Sequence, residues 1–266
     1  MKAIIFATRN VKEILRDPMS YIFCLVFPIV MLVVFYAVFY SPEAYWFAID
    51  ILTPGIAIFS FSFTMLFMAL LVSKDKTTAF LSRLYTSPMT TMDFVIGYTI
   101  PGLIITIGQV VACYITAAII GLATGIQLSY IGITLAIIST IPAMFMFIGF
   151  GILFGSLFSD QAAPGISSIV ITMSGFLSGA WMLVNPGTAL SAIFSALPFY
   201  PAVSVGRIVL SLNETAFANI GGYLAIVCAY AVAVFSLSVV AFRKKTVSDS
   251  AIVSMHKRRV QKNGDA

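Results

Sequence analysis

The chain has 266 residues, 60% of them hydrophobic and only 9% charged, with a mean hydropathy of +1.04. No soluble core of this size requires so apolar a composition, so the expected class is an integral membrane protein with little room for a soluble domain. The surplus of five positive charges sits in the two tails and one loop, a distribution that orients a membrane protein and argues against a nucleic-acid partner.

In chain order, the first 16 residues place Ile4, Ile5, Val11, Ile14 and Leu15 on one side of a helix and Lys2, Arg9, Lys12, Glu13 and Arg16 on the other. This amphipathic pattern suits a helix lying along the inner membrane surface. Arg16-Asp17-Pro18 breaks it, and Pro18 suits the first turn of the next span. No small-residue cleavage site comes after that first apolar run, so it is not expected to be a removable signal.

A helix needs about 20 largely apolar residues to cross the hydrocarbon layer. Six stretches qualify, at 19–40, 54–73, 94–121, 130–158, 162–184 and 217–242. The expected fold is all-α: a single polytopic domain over residues 1–242 with six transmembrane helices, followed by a polar, basic tail at 243–266 that frays. Pro101 and Pro142 should introduce local kinks.

Between the second and third spans lies "KDKTTAFLSRLYTSP", Lys74 to Pro88, a polar insert in an apolar chain. It reads as a short helix capped by Thr77 or Thr78 and ended by Ser87-Pro88. Phe80, Leu81, Leu84 and Tyr85 form its apolar side, and Lys74, Asp75, Lys76, Ser82 and Arg83 its polar side. Composition alone suits docking in another protein's groove and lying at the lipid interface equally well.

The segment 186–213, "PGTALSAIFSALPFYPAVSVGRIVLSLN", is apolar enough to suggest a seventh span. Pro198 and Pro201 divide it into pieces too short to cross, and a seventh crossing would carry the basic tail to the other side. The expectation is a pair of short helices that dip into the outer leaflet and return, with an apolar loop on the outer surface as the alternative. With six spans, four basic residues in the N-terminal tail, three in the 74–93 loop and seven after Phe242 share one side, leaving only Arg207 opposite. By the positive-inside rule that shared side is the cytoplasm, so both termini are expected there.

Much familiar chemistry has no residues to carry it. There is no G-x-x-x-x-G-K-[ST] phosphate loop, and His256 stands alone in the tail, so no metal site is expected. Cys24, Cys113 and Cys228 lie far apart in apolar runs and read as small packing residues. No span offers a buried base to activate a serine or an ionisable group to relay a proton. The chain is therefore expected to be no enzyme and to hold no cofactor, and energy for any uphill transport is expected from a partner, with sodium coupling through carbonyls and hydroxyls left open.

Four segments in order carry a family resemblance: "RDP" ahead of "YIFCLVFPIVM", then "LSRLYTSPMTTMDFVIGY", "GSLFSDQAAPGISSIVITMSGFLSGAWM" and "LPFYPAVSVGRIVL". Together they resemble the membrane subunits of ATP-binding-cassette exporters of the type-2 class, which carry drugs, lipid-linked glycans and similar amphipathic cargo. The resemblance implies a six-span permease that pairs as a homodimer or heterodimer and binds two separate ATPase subunits, which would hold ATP and Mg. It implies a cell membrane, inner or plasma, of a prokaryote. The insert after the second span then becomes a coupling helix, with Phe80, Leu81, Arg83, Leu84 and Tyr85 docking into the ATPase.

The match has departures. Where the family commonly carries an acidic pair, a glycine and a further glutamate, this chain has Asp75 with Lys76 and Thr77, then Ala79 and Ser82. Arg207 matches a recurrent arginine near the end of the outer hairpin, with Glu214, a phosphate headgroup or an interfacial position as its expected surroundings. Phe199 and Tyr200 suit either an aromatic exit lining or an interfacial belt. The pairs Gly121/Gly125, Gly151/Gly155 and Gly175/Gly179 permit close helix approach without identifying a dimer seam. The competing readings are a carrier or channel driven by an ion gradient and, fitting less well, a membrane anchor or sensor.

Overall fold

A computed structural model describes residues 2–77, 90–126, 128–181, 189–212 and 214–264. Among them every regular element is helical. The amphipathic start forms α1 (Lys2–Leu15). The first long apolar run comes next as α2 (Pro18–Tyr21), a π-turn at Ile22–Val26 and α3 (Phe27–Phe39), together one span from Pro18 to Phe39. Asp17 caps it, accepting from the Met19 amide, with Pro18 in the first turn where its missing N–H costs nothing. Pro28 explains the π-turn: it has no N–H to offer the carbonyl four residues back, and the Phe27 amide reaches Ile22 instead.

Then come α4 (Ile49–Thr77), α5 (Thr91–Thr124), α6 (Tyr130–Ser139), α7 (Ile141–Leu157), α8 (Ala163–Leu177), α9 (Ala189–Ala196), α10 (Phe199–Ser211) and α11 (Glu214–Gly264). The expected kink at Pro142 appears as the break between α6 and α7, where Thr140 bonds back to Ile137 in a tight turn. α5 runs through Pro101 as one element. Rather than fraying at 243, the last helix continues to Gly264.

α4 is the central helix. Of its most apolar stretch 83% is buried, against 17% for the span Pro18–Phe39. The difference comes from what packs on it. α7 approaches so closely that a Cβ on Gly151 would lie 2.7 Å from the Met65 carbonyl, and one on Gly155 would lie 2.6 Å from that of Ala69. The Gly151/Gly155 spacing is thus a seam inside the chain, letting two backbones meet where hydrophobic collapse offers little drive. Phe61 of α4 and Phe147 of α7 meet edge to face in the same layer. Toward the other end of α4, Pro54 packs under Gly206 of α10, where a Cβ would sit 2.9 Å from the proline ring.

Four expectations change. Among the described residues five helices are long and apolar enough to cross a membrane by themselves; of the expected fifth span, 162–184, they contain the 15-residue α8. At 1.5 Å per residue α8 covers roughly 22 Å of a hydrocarbon layer about 30 Å thick. Second, α4 extends to Thr77, so Lys74, Asp75 and Lys76 form its last turn and not the polar side of a separate helix, while the expected cap at the Thr77 side chain or Thr78 lies outside the described residues. Third, α1 buries Phe6, Ala7, Asn10 and Ile14, while Ile4, Ile5 and Leu15 are exposed. The hydrophobic pattern had shown one apolar face where the helix has two. Fourth, 186–213 contains the expected pair of short helices, α9 and α10, but α10 is buried among the others from Pro201 to Gly206 and is no surface loop.

Candidate functional site

Chemistry in this molecule concentrates at the two ends of α4. At the charged end, Asp75 is 2% exposed. An unpaired carboxylate there would be prohibitively costly, and hydrogen bonds from Arg9 and Tyr98 answer it. Arg9 of α1 grips it with both arms, Nη1 to Oδ2 at 2.7 Å and Nη2 to Oδ1 at 2.9 Å, and the Tyr98 hydroxyl of α5 donates to Oδ2 at 2.9 Å. Such charge-assisted, two-armed pairs fix orientation as well as distance. Burial works against the Arg9 charge, but the Asp75 hydrogen bond and the Asp75 and Glu13 charges outweigh it and hold its pKa above the ordinary value.

Around this pair the sequence supplies the rest of the clamp. Glu13, one turn along α1, accepts from Arg9 at 2.8 Å and from Lys74 at 3.4 Å. Asn10 donates to the Gly97 carbonyl of α5 at 3.2 Å. Gly97 has to be glycine, because a Cβ would collide with the Phe6 ring, which packs edge-on against Tyr98 at 5.0 Å and Phe94 at 5.6 Å. α1 is thereby fastened to the ends of α4 and α5.

Lys76 closes the other side. Its ammonium donates to the carbonyls of Gly155 at 3.2 Å, Ser156 at 3.1 Å and Phe158 at 2.6 Å, the unsatisfied acceptors at the C-terminus of α7. A cation there also complements the helix dipole. Residues 78–89 therefore leave from an anchored turn. They return at Thr90, which forms a reciprocal capping box with Asp93: the Asp93 amide donates to the Thr90 hydroxyl at 3.3 Å and the Thr90 amide to Asp93 Oδ2 at 2.8 Å.

Midway along α4, Gln109 of α5 is buried and doubly used, accepting from the Thr64 hydroxyl at 2.7 Å and donating to the Ser60 carbonyl at 3.0 Å. It clasps two helices without adding charge.

At the far end, Arg207 of α10 spends its guanidinium on backbone. Nε donates to the Ile51 carbonyl at 2.9 Å, and Nη2 to the carbonyls of Gly179 at 2.8 Å and Ala180 at 3.0 Å. Pro54 deprives the Asp50 carbonyl of its helical donor in this same turn. The chain reverses after α8 through Gly179 at φ 64°, a left-handed turn suited to glycine. Arg207 ties the start of α4, the end of α8 and α10 together. Of its expected surroundings, the Glu214 side chain lies outside the described residues, and the carbonyl set replaces the snorkelling position.

The remaining sequence candidates separate. Phe80, Leu81, Arg83, Leu84 and Tyr85 lie outside the described residues. Phe199 is 5% exposed, with its ring 5.9 Å from Phe147, so it belongs to the core and not to an exit lining. Tyr200 is half-buried between Phe194 and Tyr223. No cluster of His, Cys, Asp or Glu suited to a metal occurs among the described residues. Sequence reasoning had missed the clamp. Its signal was one acid at the end of an otherwise acid-free run, with an arginine on the amphipathic first helix.

The model of the family described as ABC-2 type transporter matches residues 2–211. No curated protein is similar enough to the chain to match. The matched region takes in both ends of α4, the Gly151/Gly155 seam and Arg207.

Proposed function

This chain belongs to the ABC-2 type transporter family and is a multi-pass transport permease of the membrane, and we propose that it forms the cargo path of an exporter driven by separate ATPase subunits. In this reading two six-span permeases, identical or related, face two ATPases on the cytoplasmic side. The ATPases hold ATP and Mg and carry out the hydrolysis. The segment 162–184 serves as the fifth crossing, which keeps both termini and the 74–93 loop on the cytoplasmic side of a prokaryotic cell membrane. The cargo is amphipathic: a drug, a lipid or a lipid-linked glycan.

The single observation that carries this reading is the clamp on Asp75. A buried, two-armed ion pair one turn before residues 78–89, with a capping box immediately after them, gives a short segment two rigid ends. Rigid ends are what a lever needs. Force delivered to Phe80, Leu81, Arg83, Leu84 and Tyr85 by a closing ATPase would pass into α4, and through the Gly151/Gly155 seam and Lys76 into α7, moving packed helices largely as bodies. The test replaces Phe80, Leu84 and Tyr85 by Ala and purifies the chain with its ATPase. Loss of co-purification and of permease-dependent hydrolysis is expected. If both are unchanged, docking through this segment is wrong.

A further inference from the structure

We propose that α1 and the turn after it carry a binding site for the phosphate headgroup of an anionic phospholipid, with Lys12 and Arg16 as its two cationic contacts. The inference concerns the membrane itself and stands whether or not residues 78–89 dock an ATPase.

α1 has three faces. Phe6, Ala7, Asn10 and Ile14 are buried against the protein. Ile4 and Leu15 are 62% and 52% exposed on a second face, and Ile5 is 69% exposed beside the charged third face. That third face borders an open groove of about 690 Å3 lined by Ile5, Thr8, Arg9, Lys12, Glu13 and Arg16. The charges in the groove are not equivalent. Arg9 is committed to Asp75 and Glu13, and Glu13 also accepts from Lys74. Lys12 and Arg16 have no ion pair among the described residues and are exposed. Lys12 in the last turn of α1 and Arg16 in the turn that follows Leu15 both line this groove. Long side chains on one groove can converge on a single phosphate, with arginine able to offer two parallel donors to its oxygens.

Depth selects the occupant. Arg16 stands two residues before Pro18, where the first span begins under the Asp17 cap. Lys12 and Arg16 therefore sit at the level where the hydrocarbon layer gives way to headgroups. An acidic protein surface could answer the charges but would leave Ile4, Ile5 and Leu15 facing water. A phospholipid answers both, with its phosphate on the cations and its acyl chains along the apolar side chains.

The experiment measures retention of phosphatidylglycerol against phosphatidylcholine by native mass spectrometry of the full chain in mild detergent. The wild type should retain phosphatidylglycerol preferentially. Lys12→Gln and Arg16→Gln should each lower that preference about fivefold, and together by roughly the product, as expected for basic residues at an anionic surface. The charge-conserving pair Lys12→Arg and Arg16→Lys should keep it, which guards against loss through misfolding. Excess inorganic phosphate should leave the lipid bound.

Several outcomes overturn the proposal: no preference in the wild type, a preference unchanged in the glutamine variants, or one that depends only on the basic residues after Phe242. Displacement of the lipid by inorganic phosphate would show that the site binds a free anion. Glutamine variants that lose a co-purifying ATPase while keeping the lipid preference would assign the surface to a protein.

Discussion

The two ends of α4 perform the same mechanical task with different chemistry. At the charged end, the centre is a network of side chains on side chains, with Arg9 and Tyr98 on Asp75 and Glu13 joining Arg9 to Lys74, and Lys76 adds main-chain carbonyls beside it. At the other end, a single arginine binds three main-chain carbonyls. Carbonyls are fixed by the fold and have no alternative protonation state, so the Arg207 clamp holds geometry and little else. A network of charged side chains can exchange partners when a neighbouring protein or lipid brings its own charge. The contrast marks the charged end as the one built to respond and the far end as the one built to hold.

The largest effect should come from removing the centre of the charged network. Asp75→Ala takes the shared buried acceptor from the Tyr98 hydroxyl and from the Arg9 guanidinium, which keeps Glu13, at a cost of about 3–4 kcal/mol. Thermal unfolding in detergent should register it, together with faster proteolysis within α1, because α1 loses its main polar attachment. Arg207→Met, next in size, strips charged donors from three carbonyls at about 2–3 kcal/mol. Here α1 should remain protected, and the contrast between the two ends fails if both variants loosen the same region.

Lys76→Met should be smaller, about 1–2 kcal/mol, since other groups can still reach the end of α7 once the dipole and hydrogen-bond contribution is gone. Gln109→Leu removes a clasp that belongs to neither end. Interhelical hydrogen bonds within the membrane average about 0.6 kcal/mol, so its melting shift should be barely resolved. Lys74→Gln breaks the exposed Lys74–Glu13 contact, with the lysine side chain 63% exposed, and should change stability by less than about 1 kcal/mol, an effect that raised salt abolishes.

Much of this architecture was legible in the sequence because apolar length is a strong signal. The long spans, the short pair at 186–213, Pro18 in a first turn and the break at Pro142 all come from residue type and spacing. Less legible was anything set by a neighbour in space. The hydrophobic pattern of α1 showed Ile4, Ile5, Val11, Ile14 and Leu15 as its apolar side; Ile14 is buried, yet Phe6 and Asn10 are the residues that meet α5, because packing against Gly97 outranks average amphipathicity. Lys74, Asp75 and Lys76 looked like the polar side of a new helix, since charge normally ends a span. Their partners Arg9 and the α7 carbonyls are distant in sequence and keep α4 helical through Thr77. The Gly151/Gly155 spacing was visible but mute, because nothing in a spacing says which helix will approach.

The central claim is that the clamp on Asp75 transmits force between residues 78–89 and the helices. The most direct measurement is permease-dependent ATP hydrolysis by the assembled complex carrying Asp75→Asn, which keeps the shape and removes the charge. The account predicts that the ATPase still co-purifies in full while its stimulation by the permease falls about tenfold or more. Unchanged stimulation in an intact complex would contradict it and reduce the clamp to a structural fastening.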